Sequence, residues 1–277
     1  WTSSQYCKHT ALDRMNRLFP WLGQLNRRTT EASADSHAAS ACRFNLASYN
    51  IHKCVGTDGR FDPQRIKQVI LALDADIVVL QEADARFGER EGLLDLSYLH
   101  AAGGYQSAVA LSEGSRSHGW HGNVVLYRSG IVHDVHQLTL PGLEPRGAVL
   151  VDFGIEQANF RLLAVHFGLL RQSRMRQVQA IIDAADPHPD RHVIIVGDMN
   201  EWRLKNRSAL DLFKHHFDEV SQNLPSYPSR LPLLPLDRLF ISRGLRSEGM
   251  SVIDTPLTRL ASDHLPLTAK LSFQDRF

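Results

Sequence analysis

Apolar and polar residues follow one another along most of the chain in short segments of the kind that form strands. Residues 193–196 are four β-branched apolar residues in a row, a composition typical of a strand buried on both faces. Residues 44–49 alternate in the pattern of a strand. The same reasoning predicts further strands over residues 77–80, 105–110, 123–127, 148–153, 160–165, 236–241 and 265–271.

Two segments carry the pattern of a helix. Asp62 and Pro63 make a good N-cap and first helical residue, and an apolar face follows them over residues 66–73. Residues 172–184 have a similar apolar face and predict a second helix. Strands mixed with helices, with hairpin-like spacing in the middle of the chain, predict an α/β or α+β fold of layered sheets with much antiparallel pairing.

Residues 1–42 differ from the rest of the chain. Apolar residues recur there at near-helical spacing with arginines between them, Pro20 interrupts the pattern, and residues 29–41 are rich in Ala, Ser and Thr. We therefore predict an N-terminal extension and linker over residues 1–42 and one domain over residues 43–277. A basic amphipathic segment can make weak contact with an anionic membrane surface, although short packed helices and frayed termini are commoner.

Composition narrows the class of protein. Of the 277 residues, 43% are hydrophobic and 22% charged, as in a soluble globular protein, and no apolar run is long enough to span a bilayer. The net charge of +1 excludes a global basic field but leaves room for a local basic cleft. Three widely spaced cysteines give neither a disulfide framework nor a zinc pattern, which favours free thiols and a cytoplasmic location. The chain starts at Trp1, so an earlier, removed signal peptide remains an open alternative.

Polar residues with catalytic potential stand at the ends of the predicted strands. Gly197 follows residues 193–196, and Asp198 and Asn200 come next, two positions apart. Other strand ends carry Asn50, Glu82, Asn123, His166, Asp237, Asp263 and His264. Each residue alone could be a turn, cap or surface-pair residue. Together they supply the carboxylates, amide oxygens and imidazoles that metal-assisted hydrolysis of a phosphoester requires.

Five motifs occur in the order found in a known superfamily. They are Ser48-Tyr49-Asn50-Ile51-His52, Leu80-Gln81-Glu82, Gly122-Asn123-Val124-Val125-Leu126, Gly197-Asp198-Met199-Asn200 and Ser262-Asp263-His264. This order resembles the endonuclease/exonuclease/phosphatase superfamily, which is DNase I-like, and especially a compact bacterial branch of metal-dependent hydrolases. The resemblance implies a four-layer αββα sandwich of two packed, mostly antiparallel sheets, with the active site at one edge.

The resemblance also implies roles for individual residues. Glu82 would be the principal ligand of Mg²⁺ or Mn²⁺, supported by Asn50 and Asp263. Asp198 would orient or deprotonate the attacking water, with Asn200 holding it. The remaining implied residues are His264 for the phosphoryl transition state, Asp237 to orient that histidine, His166 against the phosphate, and Arg146 and Asn123 toward the substrate.

The expected function is divalent-metal-dependent hydrolysis of a phosphodiester by attack of water on phosphorus. The substrate is a phosphate ester, with nucleic acid, a phospholipid headgroup and a small molecule as open alternatives. A phosphomonoesterase and a catalytically silent, membrane-peripheral binding module are the rival functions. Arg171, Arg174 and Arg176 could follow a phosphate backbone or form the solvated face of a helix. We expect a monomer in the cytoplasm, with residues 1–42 as the membrane-contacting segment if there is one.

Overall fold

Two six-stranded sheets form the centre of the part of the chain that the computed structural model describes, residues 42–85, 88–108, 116–186, 191–203, 208–221 and 224–274. The strands are β1 (Arg43–Asn50), β2 (Ile77–Gln81), β3 (Gln106–Ser107), β4 (Val124–Tyr127), β5 (Ile131–Leu140), β6 (Arg146–Ile155), β7 (Ala158–His166), β8 (His192–Asp198), β9 (Asp218–Glu219), β10 (Asp237–Ile241), β11 (Leu245–Val252) and β12 (Leu267–Phe273). The α-helices are α1 (Pro63–Leu73), α2 (Leu96–Gly103), α3 (Arg171–Ala185) and α4 (Pro256–Ala261), with 3₁₀ turns at His52–Cys54 and Ala209–His215. The predicted extension over residues 1–42 lies outside the described residues, apart from Cys42.

The two sheets have matching topologies. Their strand orders are β11-β12-β1-β2-β4-β3 and β5-β6-β7-β8-β10-β9. Each sheet holds one parallel pair, β1 with β2 and β7 with β8, and the members of each pair are joined through a helix, α1 or α3. The parallel pairs pack on each other across the sandwich. Their carboxyl ends therefore meet at one edge, which we call the catalytic edge because the resemblance implies an active site there.

Three apolar clusters separate the layers. Between the sheets, the Phe160 ring stacks on Phe44 and Phe153 with centroid distances of 5.2 and 5.4 Å. Outside one sheet, α1 buries an apolar face that includes Ile66. Outside the other, α3 buries a face that includes Ile181. The four-layer sandwich expected from the motifs is confirmed.

Most predicted elements occur within two residues of their expected bounds, and the exceptions have a physical reason. Of the strand predicted over 105–110, the described part is only Gln106–Ser107. The strands β5 and β11 were not predicted. Each lies at the end of its sheet, and most of their side chains are at least partly exposed, so their sequences show little apolar alternation. No described helix is long and apolar enough to cross a bilayer.

Gly197 fits tightly between two strands just before the catalytic edge. Its φ is +147°, and a Cβ at this position would lie 1.9 Å from the carbonyl oxygen of Val165 in β7. Because the obstructing atom belongs to the backbone of a central strand, Gly197→Ala is expected to destabilise the fold by about 3 kcal/mol, and to lower Tm by roughly 6–12 °C in a domain of this size. Thermal unfolding followed by circular dichroism measures the change.

Gly249→Ala is the matched control for that substitution. Gly249 lies in strand β11 with nothing within 4 Å of an added Cβ, so Tm should stay within about 1 °C of wild type. Equal stabilities of the two variants would contradict the close packing at Gly197.

Candidate active site

Strand register brings three of the sequence-predicted residues side by side. Asp198, the last residue of β8, pairs with His166 of β7 on one side and with Asp237 of β10 on the other. Because β7 is parallel and β10 antiparallel to β8, the end of β7 and the start of β10 meet at the catalytic edge. The end of β1 and the loop before β12 bring Asn50 and His264 to the same place.

The Asp198 carboxylate is the centre of the site. Its Oδ2 accepts a hydrogen bond from Asn50 Nδ2 at 3.0 Å, and lies 3.5 Å from His166 Nε2 and 3.7 Å from His264 Nε2. Its Oδ1 accepts from the backbone N–H of Asn200 at 2.9 Å. Burial raises the pKa of Asp198 to about 6, although the charge of His264 works in the opposite direction. Asp198 is therefore a buried carboxylate whose basicity is suited to accepting a proton near neutral pH.

His264 is held between two carboxylates. Its Nδ1 lies 2.8 Å from Asp237 Oδ2, and its Nε2 points toward Asp198. Ser226 Oγ donates to the same Asp237 oxygen, and the Tyr227 ring packs against the imidazole at a centroid distance of 4.9 Å. Burial opposes protonation, but Asp237 and Asp198 outweigh it and raise the pKa of His264 to about 10. The imidazole is thus a cation with a fixed orientation.

His166, in contrast to His264, is a neutral imidazole. It is 2% exposed, and Arg146 Nη1 lies 3.0 Å from its Nδ1 and 2.9 Å from its Nε2. Burial and the Arg146 guanidinium lower the pKa of His166 well below its usual value. Arg146 is fixed in turn by Glu144, whose Oε2 accepts from Nη2 at 3.0 Å. The Asp198 carboxylate therefore lies between one neutral and one charged imidazole.

Glu82 follows β2 and faces a cleft. Its backbone has a φ of +55°, and its Oε2 lies 2.8 Å from Lys53 Nζ. Burial works against ionisation, but the Lys53 ammonium beside it holds the pKa of Glu82 below its usual value. Asp263 is half-buried, with its Oδ1 3.8 Å from His52 Nδ1.

These oxygen groups fit a hard cation. Within the described residues, no three His, Cys, Asp or Glu side chains form a metal-binding cluster. Mg²⁺, however, usually takes only one or two carboxylates and completes its shell with water and substrate oxygens. The ionised Glu82 supplies such a carboxylate. Asn50 Oδ1 accepts the His52 backbone N–H at 3.0 Å and, as an amide oxygen with two lone pairs, keeps one for a further partner.

Two predicted asparagines connect loops at this edge. The Asn200 side chain donates to the Phe167 carbonyl oxygen at 2.9 Å, which joins the loops after β7 and β8. Asn123 is fully buried and donates to the carbonyl oxygens of Trp120 and Gly147. Gly147 follows Arg146, so Asn123 supports the strand that carries this arginine. Direct contact between Asn123 and a substrate stays a prediction.

The cleft beside Glu82 encloses about 400 Å³, including space open to solvent. It is lined by Lys53, Glu82, Asp84, Arg90, His121, Pro145, Arg146 and His166. Sequence reasoning assigned no role to four of its polar residues: Lys53, Asp84, Arg90 and His121. Lys53 directly follows the motif that ends at His52, which was an available clue. Arg90 lies in a loop whose sequence has no periodic pattern.

Arg174 corrects one expectation about the basic residues of α3. It is neither on a solvated face nor available to a phosphate backbone, because its side chain is 1% exposed. Its guanidinium lies 3.3 Å from Glu201 Oε2 and donates to the Gly168 and Leu169 carbonyl oxygens. Its sequence neighbours are mostly polar, with Ser173 before it and Arg176 two residues after it, so nothing in the sequence indicated this burial. Arg174 thus connects the loop after β7, through these hydrogen bonds, to the loop after β8, through the ion pair.

Comparisons with known proteins agree with this architecture. The sequence model of the Endonuclease/Exonuclease/phosphatase family matches residues 47–264. None of the curated proteins matches the chain. A solved endonuclease/exonuclease/phosphatase from Beutenbergia cavernae is 21% identical with a TM-score of 0.66, over 83% of this chain and 72% of its own.

Two further solved structures carry functional names. Mannosyl-6-phosphatase of Bacteroides thetaiotaomicron is 16% identical with a TM-score of 0.64, over 83% of this chain and all 100% of its own. TDP2 of D. rerio, complexed with a single-strand DNA product, is 16% identical with a TM-score of 0.62, over 83% of this chain and 99% of its own. At these identities the likeness shows the fold alone, and one fold hosts many substrates.

Proposed function

The chain belongs to the endonuclease/exonuclease/phosphatase family, and on that premise we propose that it is a divalent-metal-dependent phosphoesterase that hydrolyses a phosphodiester by attack of water on phosphorus. Members of this family are hydrolases. The observation that carries the proposal is the position of the buried Asp198 carboxylate between Asn50, His166 and His264.

Asp198 is the proposed base. The amide groups of Asn50 and Asn200 fix both of its oxygens, so the carboxylate would hold a water molecule in one orientation for attack. Its raised pKa makes it a better proton acceptor than an exposed aspartate. The neutral His166 beside it leaves the carboxylate charge uncancelled on that side.

His264 is the proposed stabiliser of negative charge. Its cationic imidazole, held by Asp237, would donate from Nε2 to a phosphoryl oxygen or to the leaving oxygen. Asp237 touches only the far nitrogen of the ring, so it is a positioning residue. Ser226 fixes Asp237 in turn.

Glu82 and Asn50 would hold the metal ion, with Asp263 as a further oxygen donor nearby. When bound, Mg²⁺ or Mn²⁺ would polarise a phosphoryl oxygen and lower the pKa of a bound water. Arg146 faces the same cleft and would contact the phosphate group.

A phospholipid headgroup is favoured as substrate by one observation. Among the residues that the structure describes, most large apolar side chains that are at least half exposed lie on loops at the catalytic edge. They are Phe61, Leu143, Leu169, Leu170, Trp202, Leu231 and Leu233. Apolar groups exposed around a site are typical of surfaces that meet a lipid or an apolar partner. A nucleic acid and a small phosphodiester would use the same catalytic groups.

A substrate panel tests the proposal. Purified protein, stripped with EDTA and supplied with Mg²⁺ or Mn²⁺, would be assayed on bis-p-nitrophenyl phosphate, plasmid DNA, RNA, phospholipid vesicles and phosphomonoesters. We expect hydrolysis of at least one phosphodiester that stops on chelation and returns with metal. Activity that persists in excess EDTA would contradict the metal dependence, and activity confined to phosphomonoesters would favour the rival function.

A further inference from the structure

Strained backbone residues concentrate in the cleft beside the catalytic centre. Lys53, Glu82, Arg90 and His121 are not glycines, yet their φ angles are +53°, +55°, +53° and +49°. All four line this cleft. Left-handed backbone at such residues is uncommon and clusters at functional sites. Glu82 is accounted for by the proposed metal site, but Arg90 has no role in the mechanism above.

Arg90 is fixed by a carboxylate that is itself buried. Its Nε and Nη2 lie 2.7 and 3.1 Å from the two oxygens of Asp84, a bidentate pair. The Asp84 side chain is 4% exposed, whereas that of Arg90 is 24% exposed. Asp84 therefore orients the guanidinium from beneath, and a molecule in the cleft would meet the cation rather than the carboxylate. The base of this loop is closed by the Ala85 N–H donating to the Glu91 carbonyl oxygen at 2.8 Å.

The cleft joins Arg90 to the catalytic centre. His166 and Arg146 line it, and His166 Nε2 lies 3.5 Å from Asp198 Oδ2 on its other side. Three cationic side chains, Lys53, Arg90 and Arg146, line the cleft against two carboxylates, and one of those, Asp84, is covered by Arg90. The Arg90 end of the cleft thus presents an oriented guanidinium in the same cleft as the position proposed for the scissile phosphate.

We propose that Arg90 binds a second phosphate group of the substrate, next to the scissile one, and so determines specificity. The proposal rests on the proposed function for the position of the scissile phosphate. A planar guanidinium that is held on one side still has N–H groups free on the other. Their fixed geometry matches the spacing of two phosphate oxygens. The second phosphate would be a monoester on a phospholipid headgroup or another small molecule, or the next diester of a nucleic acid strand.

Matched chromogenic substrates test this assignment. The first is the p-nitrophenyl ester of thymidine 5′-phosphate, which has one phosphate. The second carries an additional 3′-phosphate monoester, and the third continues from the 3′ oxygen through a diester to another thymidine. We expect kcat/KM to be about tenfold higher for an ester with the second phosphate, the size of one charge-assisted hydrogen bond. Preference for the second compound would identify a small-molecule monoester, and preference for the third a nucleic acid strand.

The decisive variant is Asp84→Asn/Arg90→Gln. The double substitution removes the cation without leaving a buried, unpaired carboxylate, which would threaten folding. The ratio of kcat/KM between the esters with and without a second phosphate should fall to near one. The control is Asp152→Asn/Arg161→Gln, which removes a bidentate pair of the same type, with both contacts at 2.8 Å, between strands β6 and β7. This control should keep the wild-type ratio.

Failure of the subsite and failure of the proposed function are distinguishable. Hydrolysis of the one-phosphate ester without any preference for a second phosphate would overturn the subsite alone, as would a preference that survives in the double variant. If no ester is hydrolysed, calorimetric titration with thymidine 3′,5′-bisphosphate and thymidine 5′-monophosphate replaces the kinetics. About tenfold tighter binding of the bisphosphate, lost in the double variant, would still support Arg90. Equal affinities would overturn it.

Discussion

Asp198→Asn is expected to lower kcat for the best phosphodiester substrate by about 10³- to 10⁴-fold, the upper range for loss of a general base together with its charge. The substitution keeps the size of the side chain but removes the negative charge on which Asn50, His166 and His264 converge. An amide cannot accept the proton of the attacking water. KM should change far less than kcat, because the lost interaction forms mainly in the transition state. Initial rates at saturating substrate and metal measure the effect.

The folded state should survive this substitution. Because burial raises the pKa of Asp198 to about 6, the ionised carboxylate is disfavoured by the fold at neutral pH, and Asn removes that cost. Tm is therefore expected to stay at or above the wild-type value. Asp152→Asn, at the partly buried pair with Arg161 in strands β6 and β7, provides the size-matched control for activity. A variant that retains more than about a tenth of wild-type kcat would exclude Asp198 as the base.

The layered fold could be predicted because its central strands have simple sequences. The apolar run at 193–196 and the strand at 77–80 are buried between layers, so each of their positions is apolar. The strand at 44–49 is buried at every position except Asn45. Strands at the ends of the sheets are not buried in this way, so their positions need not be apolar. In β5, only Leu140 is fully buried among ten residues, and the alternation that would have predicted the strand is absent. An apolar pattern in a sequence reflects side chains that become buried. A strand held mainly by backbone hydrogen bonds, with most of its side chains exposed, therefore shows no clear apolar pattern.

The residues of the candidate site could be picked out from the sequence because they occupy strand ends. Asp198, His166 and Asp237 stand at the last or first position of a strand, where the motifs mark them and the register makes them neighbours. What sequence could not provide was the charge state of each group. The difference between His166 and His264 depends on whether an arginine or two carboxylates lie beside a buried ring, and those partners come from distant parts of the chain.

The cleft was missed for a related reason. Lys53, Arg90 and His121 lie on turns rather than strands, and left-handed backbone conformations direct their side chains into it. Sequence rules assign such conformations to glycine and asparagine. A lysine, an arginine or a histidine there follows no local propensity, so only the assembled fold brings them together.

His264→Gln is expected to lower kcat by about 10²- to 10³-fold, the usual size for loss of one charged donor at a developing negative charge. Gln fills similar space and can hydrogen-bond to Asp237, but it carries no positive charge toward a phosphoryl oxygen. Since Asp237 acts only through the imidazole, Asp237→Asn should cost less, about tenfold to 10²-fold, through a misoriented and less basic ring. Steady-state kinetics on the same substrate, with folding checked by circular dichroism, provide both values.

The double variant Asp237→Asn/His264→Gln distinguishes positioning from independent catalysis. If Asp237 works only by holding His264 at 2.8 Å, removing it from a protein that already lacks the imidazole should cost almost nothing further, and the double variant should match His264→Gln within about twofold. Losses that multiply would mean that Asp237 acts on the substrate or metal by another route. The fully buried position of Asp237, beneath Ser226 and the imidazole, argues against such a route and makes strong non-additivity the expected result.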